Sequence, residues 1–203
     1  MSGKANIAVL VSGGGTNLQA LINAQAKGNI PSGEIKLVIS NTSGAFALTR
    51  AERAGIDTAV VLRRELGSAE RFENRILELL DEYSIDLIVL AGFMSILSGD
   101  FTKNYPDRII NVHPSLIPSF CGRGYYGLKV HEAALNYGVK VTGATVHYVN
   151  EVPDGGRIIM QKAVNVLPGD TPETLQKRVM RLAEWKILPL SAEEVCRRIL
   201  SER

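Results

Sequence analysis

The chain has only three histidines in 203 residues. One of them, His113, lies in the segment 109–120, IINVHPSLIPSF, two residues after Asn111 and directly before Pro114. Alternate residues of an extended chain point to the same side, so this amide and imidazole stand next to each other. Pro114 disfavours helical backbone at His113 and keeps it extended, and Pro118 stiffens the rest of the loop. An amide donor beside an imidazole can hold an oxygen that gains negative charge. The plainer alternative is a ring that bonds a nearby carbonyl. Further along, NEVPDGGRII carries Glu151 and Asp154. Asp-Gly-Gly is first of all a turn signal. A carboxylate beside His113 would also fix its tautomer and raise its pKa, making imidazolium available near neutral pH. Spacing alone does not bring position 154 to position 113.

A second candidate is the segment 10–21, LVSGGGTNLQAL. Three consecutive glycines allow unusual backbone angles and close approach of a ligand to the main chain. A helix beginning after them would aim free N–H groups and the positive end of its dipole outward, which suits a phosphate. Thr16 or Asn17 can add a side-chain donor. The alternative is a tight strand-to-helix turn with no guest. The dinucleotide fingerprint is not met, because Leu18 occupies the place of the third glycine and SNTS after the second strand has no acidic residue for a ribose. No Gly-Lys-Ser/Thr follows, so it is not a P-loop. A serine hydrolase is also unsupported, since G-x-S-x-G is absent and Ser115 lies in a proline loop. Cys121 and Cys196 indicate neither a disulfide framework nor a zinc site, and His113, His131 and His147 match no metal motif.

The elements that would position these groups alternate. NIAVLV (6–11), IKLVIS (35–40), DTAVVL (57–62), DLIVLAG (86–92) and RIINVH (108–113) have the texture of buried strands. Helices are expected over 16–28 (Leu18, Leu21, Ile22 and Ala26 on one face), 45–55 and 68–84 (Phe72, Ile76, Leu79, Leu80 and Tyr83). After Gly138 the pattern changes to two long strands, 140–150 and 156–166, joined through EVPDGG as an antiparallel addition. Two helices should close the chain. One is 170–185, with Thr171 as N-cap and Pro172 at its first position; the other is 191–200, with Ser191 and Glu194 at capping-box spacing. The order predicts an α/β, Rossmann-like fold: a mostly parallel twisted sheet, helices on both faces and an antiparallel C-terminal addition. No linker or repeat interrupts it, so residues 1–203 are expected to form a single domain.

The composition agrees with a globular protein: 45% apolar, 22% charged and a net charge of +2. That near-balance points to neither nucleic acid nor an anionic membrane as partner. The N-terminal MSGKANIAVLVSGGG lacks the features of a signal peptide, and no apolar run approaches a membrane span, so a cytoplasmic location is expected.

Taken together, VLVSGGGTNLQAL, VISN, VLAGFMSILS, NVHPSLIPSF, VTGATVHYVNEVPDGGRIIMQKAV and AEWKILP resemble the phosphoribosylglycinamide formyltransferase family over nearly the whole chain. The resemblance implies transfer of a formyl group from 10-formyltetrahydrofolate, as cosubstrate and without metal, to the amine of glycinamide ribonucleotide. It implies that Asn111, His113 and Asp154 are catalytic. Gly15, Thr16 and Asn17 would hold the substrate phosphate, and Glu184 would meet the glycinamide end. Met94, Ser95, Ile96 and Leu97, with Asn111, would line the folate pocket. It implies small-molecule partners and a monomer or homodimer. The chain departs from the family pattern at Ala69 and Ser95, where arginine is usual, and at Cys121, where proline is common. The loop CGRGYYGLKVHEA is longer than in many members, and Tyr125 and Tyr126 there suggest a mobile aromatic cover or plain surface packing. A formyltetrahydrofolate deformylase would carry an extra N-terminal domain, and a methionyl-tRNA formyltransferase an extra C-terminal one. The first strand starting by Asn6 and the short stretch after EWKILP argue against both. A non-catalytic nucleotide-binding module is the rival of a different class.

Overall fold

A computed structural model describes residues 3–203. Seven strands form one sheet: β1 (Ala5–Val11), β2 (Gly33–Ser40), β3 (Asp57–Val60), β4 (Leu87–Leu90), β5 (Ile109–His113), β6 (Val141–Tyr148) and β7 (Ile158–Asn165). They lie in the order β3-β2-β1-β4-β5-β6-β7. The pairs from β3 to β5 are parallel, and β5–β6 and β6–β7 are antiparallel. The fold is therefore the Rossmann-like α/β arrangement expected, with its antiparallel addition at the C-terminal end.

The helices are α1 (Thr16–Ala26), α2 (Phe46–Arg53), α3 (Arg63–Leu66), α4 (Ala69–Glu82), α5 (Gly99–Lys103), α6 (Leu128–Tyr137), α7 (Pro172–Val179) and α8 (Trp185–Ser201). β1 shows why there are two layers of them. It is apolar on both faces, as a central parallel strand must be. Ile7, Val9 and Val11 enter one core, with Leu18 and Leu21 of α1 and Ile187, Val195 and Ile199 of α8. Ala8 and Leu10 enter the other, with Phe72, Ile76 and Leu80 of α4.

Several boundaries differ from the pattern reading. α1 stops at Ala26, because Gly28 has turned to φ 72°, and its buried face carries Ala24 rather than Ala26. The two closing helices are one run, in which a π turn, Met180–Glu184, links α7 directly to α8. Ser191 therefore caps nothing; it is buried inside α8 with no partner for its hydroxyl. Pro189, which would normally break a helix, lies five residues after a turn that already departs from regular i→i−4 bonding. The apolar stripe through Ile187, Leu188, Ala192, Val195 and Ile199 outweighs both local stop signals. The Thr171 cap is as expected, with its hydroxyl accepting from Thr174 N–H and Pro172 next in line. The segment read as a long loop contains α6, whose glycine punctuation at Gly127 and Gly138 marks its two ends.

Candidate active site

The strand order reverses between β1 and β4, and in open α/β sheets ligands bind beyond the carboxyl ends of the strands at such a point. The glycine turn follows β1, the segment 92–98 follows β4, and His113 ends β5. The first two are tied across the reversal by Met94 N–H donating to the Ser12 hydroxyl at 2.8 Å.

β5 is short and buried, with Asn111 half-buried and His113 5% exposed. Their two-residue spacing puts both side chains on one side. The antiparallel register then sets Asn111 opposite His147 and His113 opposite Thr145. The loop beyond is pinned to β6: Thr145 donates to Ser115 O at 2.7 Å and accepts from Ile117 N–H at 3.1 Å. Ser115 donates to Ser119 O at 2.5 Å.

That loop turns back through Phe120, whose φ is +50°, and its carbonyl accepts from His113 Nε2 at 2.8 Å. A carbonyl can only accept, so Nε2 carries a hydrogen and the neutral ring leaves Nδ1 bare. Nδ1 faces Asp154 Oδ2 at 3.5 Å. Asp154 Oδ1 is 3.5 Å from His147 Nε2, and Gly122 N–H donates to Oδ2 at 2.8 Å. Asp154 adopts φ +56°, a left-handed conformation that aspartate tolerates better than most residues. Two positions later the turn runs against the β6–β7 hairpin so closely that a Cβ on Gly156 would lie 1.7 Å from Tyr148 O. The Asp-Gly-Gly segment is thus a backbone turn and a carboxylate mount at once. Likewise His113 bonds a carbonyl, as the plainer reading has it, and also faces the carboxylate.

His147, which pattern reading passed over, completes the cluster. Its Nδ1 contacts Tyr148 O at 2.8 Å, so the neutral ring presents Nε2 as an acceptor. Asn111 Nδ2 lies 3.2 Å from that atom. This contact orients the amide and leaves its second hydrogen for a ligand. The cross-strand register brings His147 here. Its alternation with Thr145 in VTGATVHYVN was the sequence signal, but that signal has meaning only once the partner strand is known.

The electrostatics correct one expectation. Burial is the largest influence on His113 and holds its pKa below the ordinary value, against the upward pull of Asp154 and the Phe120 carbonyl. The resting ring is therefore neutral at neutral pH, not imidazolium. Burial pushes the Asp154 carboxyl up, but His147, His113 and the Gly122 N–H together bring it below the usual carboxylate range. Only the protonated ring satisfies both of its acceptors, and burial opposes that form. A proton on Nδ1 would therefore gain an acceptor in Asp154 while meeting the cost of burial.

A cavity of about 550 Å³ opens on this cluster, walled by Met94, Ser95 and Ile96, by Asn111 and His113, and by Tyr125, Tyr126 and Asp154. That volume suits a small-molecule ligand. Met94 and Ile96 are exposed, as binding residues would be, whereas Leu97 is buried in the second core and meets only an adjoining recess. The segment is anchored at both ends. Asn41 donates to the Ser95 hydroxyl at 2.9 Å, and Ser98 bonds the Glu73 carboxylate through its N–H and its hydroxyl. Tyr125 packs edge-on against Phe120, and Tyr126 lies under Lys129.

At the glycine turn, Gly15 has φ +71° and approaches α2 so closely that a Cβ would sit 2.6 Å from Ala47 Cβ. It caps α1 with no side-chain bond, which leaves the first N–H groups of the helix for a ligand. Arg50 Nε donates to Gly14 O at 2.8 Å and holds the turn in place. Asn17 and Glu184 meet here: the amide donates to Glu184 Oε2 at 2.7 Å, and the Asn17 Oδ1 is buried without a partner. Burial pushes the Glu184 carboxyl up to about 7, the Asn17 bond opposing. Gly15, Thr16, Asn17 and Glu184 thus form one group, and Asn111, His113 and Asp154 another. Among the described residues no group of three or more metal-ligating side chains occurs.

Comparison with known proteins gives a consistent result. The formyl transferase family model matches residues 5–191. The chain is 48% identical over 192 residues to the trifunctional purine biosynthetic protein adenosine-3 of Gallus gallus, covering 95% of this chain but 18% of that protein. It is 43% identical over 184 residues to the phosphoribosylglycinamide formyltransferase of Haemophilus influenzae, covering 91% and 84% respectively. Among solved structures, the glycinamide ribonucleotide transformylase 1 of Symbiobacterium toebii superposes with a TM-score of 0.90 at 40% identity, covering 96% of this chain and 89% of that one. The phosphoribosylglycinamide formyltransferase of Brucella melitensis gives a TM-score of 0.87 at 42% identity, covering 96% of each chain.

Proposed function

The chain belongs to the formyl transferase family, and from that premise we propose that it transfers the formyl group of 10-formyltetrahydrofolate to the amine of glycinamide ribonucleotide. The products are formylglycinamide ribonucleotide and tetrahydrofolate, in purine biosynthesis. The observation that carries this reading is the convergence of Asn111, His113 and Asp154 on one cavity, with His113 Nδ1 3.5 Å from the carboxylate.

On this reading the folate lies along Met94, Ser95 and Ile96, with the buried Leu97 behind them. The phosphate sits on the N–H groups after Gly15, beside Thr16 and Asn17, and Glu184 meets the glycinamide end of the substrate. As the amine nitrogen bonds the formyl carbon, the free Asn111 hydrogen meets the oxygen that gains charge. The bare Nδ1 of His113 takes the proton the amine must lose, and the imidazolium so formed is held between Asp154 and the Phe120 carbonyl. The same proton then passes to the folate nitrogen as its bond to the formyl carbon breaks, which returns His113 to its neutral state. Such proton transfer contributes roughly 10²–10⁴-fold, and holding the two reactants together contributes at least as much. The activity resides in one domain spanning residues 1–203, a monomer or homodimer acting on small molecules, and not on nucleic acid, in the cytoplasm.

The test follows the folate absorbance change with and without glycinamide ribonucleotide. Turnover that requires this acceptor supports the proposal. Equal loss of formylfolate without it makes the chain a hydrolase, and ligand binding with no turnover makes it a binding module.

A further inference from the structure

A groove of about 360 Å³ runs along the outer side of α1, outside the cavity of the Asn111–His113–Asp154 cluster. Thr16, Gln19, Asn23 and Lys27 form one stripe of the helix along it, at spacings of three to four residues. Arg50 of α2 and Trp185 at the start of α8 complete its walls. From Thr16 to Lys27 the stripe is roughly 16 Å long, more than a single phosphate needs.

The charge here is one-sided. The whole chain has 23 basic and 21 acidic residues, yet no acidic residue lines this groove. Among the described residues Lys27 has no ion pair. Arg50 is held by neutral acceptors only, Gly14 O and Gln19 Oε1 at 2.9 Å, and by the Phe46 ring. These contacts leave its Nη2 hydrogens for a ligand. On the other side of Trp185 lies a second recess of about 390 Å³, lined by Lys177 and Arg181 and by Arg178, whose charge is taken up by Asp170. Trp185, 37% exposed, is the residue the two recesses share. An inorganic polyanion would have no use for an indole wall, and an uncharged aromatic would have none for the cations. A nucleoside carrying several phosphates uses both, by stacking and by charge-assisted hydrogen bonds.

We propose that this groove is a second binding site that takes a nucleoside diphosphate or triphosphate, with its base against Trp185 and its phosphates between Arg50 and Lys27. The site is independent of the formyl-transfer reading, although Thr16 at its inner end also belongs to the glycine turn. An occupant would therefore oppose a phosphate held at that turn.

Trp185 is the only tryptophan in the chain, so its fluorescence reports on the groove directly. ADP titrated to roughly 1 mM, with calorimetry in parallel, is expected to quench it saturably. Lys27→Glu is expected to weaken ADP binding at least tenfold while formyl transfer stays within twofold of the parent. Pyrophosphate and adenosine should each bind at least tenfold more weakly than ADP. The proposal is overturned by absence of saturable quenching, by ADP binding that Lys27→Glu leaves unchanged, or by pyrophosphate binding as tightly as ADP. Loss of formyl transfer in the parent chain would instead count against the catalytic reading and leave this one intact.

Discussion

Two aspartates with cationic or potentially cationic partners show how differently the same group can be used. Asp170 is 4% exposed and saturated. Arg178 reaches it with two nitrogens at 2.5 and 2.6 Å, Leu167 N–H adds a third bond at 2.8 Å and the Thr174 hydroxyl a fourth at 3.0 Å. The Arg178 hydrogen bonds hold its carboxyl far below the usual range. Asp154, 14% exposed, has one formed hydrogen bond, from Gly122, and stands 3.5 Å from each of two imidazoles. A saturated carboxylate has nothing left to offer and acts as a clamp on α7. An undersatisfied one still has acceptor capacity for a charge that arises beside it. The difference lies in the partners: a guanidinium is always charged and fits bidentately, whereas an imidazole can change its protonation within the working pH range.

The sharpest way to break this contrast is to remove the group Asp154 serves. His113→Gln should lower turnover roughly 10³-fold, measured by steady-state kinetics; a loss under tenfold would mean that the ring carries no proton. Next comes Asp154→Asn, expected to cost roughly 10²-fold. It should also shift the pH profile in a defined direction. Activity needs neutral His113 and falls as pH drops through its pKa. Asp154 raises that pKa against burial, so the variant's acid limb should move to lower pH. An unmoved limb would separate the carboxylate from the ring.

Asp170→Asn should do the reverse, leaving turnover within twofold and lowering unfolding free energy by about 3 kcal/mol in denaturant titrations. Because the folded carboxyl is depressed, its contribution is present above the ordinary value near 3.8 and is lost as pH falls through the folded value. The gap between parent and variant should therefore shrink in acid. Glu184 offers a change of similar size and the opposite sign. Its carboxyl is raised from 4.5 to about 7, so the folded chain keeps a proton that the unfolded chain loses, and stability falls as pH rises across that window. Glu184→Gln should then be more stable than the parent at pH 8, by about 3 kcal/mol, and alike near pH 4. Equal melting at both pH values would show that the buried carboxyl is not strained by its charge.

Much of this was legible along the chain. Apolar runs marked β1, β2 and β4, the stripe from Phe72 to Leu80 marked α4, and Pro172 after Thr171 marked the start of α7. Local signals failed where packing overrode them. Pro189 and Ser191 signal a break that the buried face of α8 does not allow, and the glycines around α6 mimic an open loop. At the site, the chemical types of Asn111, His113 and Asp154 stood out, but His147 did not, because it lacks a motif of its own. The protonation state of His113 is not legible in the sequence, because the effect of a nearby carboxylate can be named there, while the larger effect of burial cannot.

The sequence by itself determined the alternation of strands and helices, the glycine turn ahead of α1, and the reactive residue types at 111, 113 and 154. Those depend on periodicity and on neighbours a few residues apart. Only the tertiary structure decided that a carboxylate some forty residues downstream faces the ring, that a carbonyl of the intervening loop fixes its tautomer, and that a second imidazole orients the amide. Each of these depends on an antiparallel register and on two left-handed backbone turns, at Phe120 and Asp154. Register and tight turns of this kind are set by the packing of segments distant in the chain, and no local pattern encodes them.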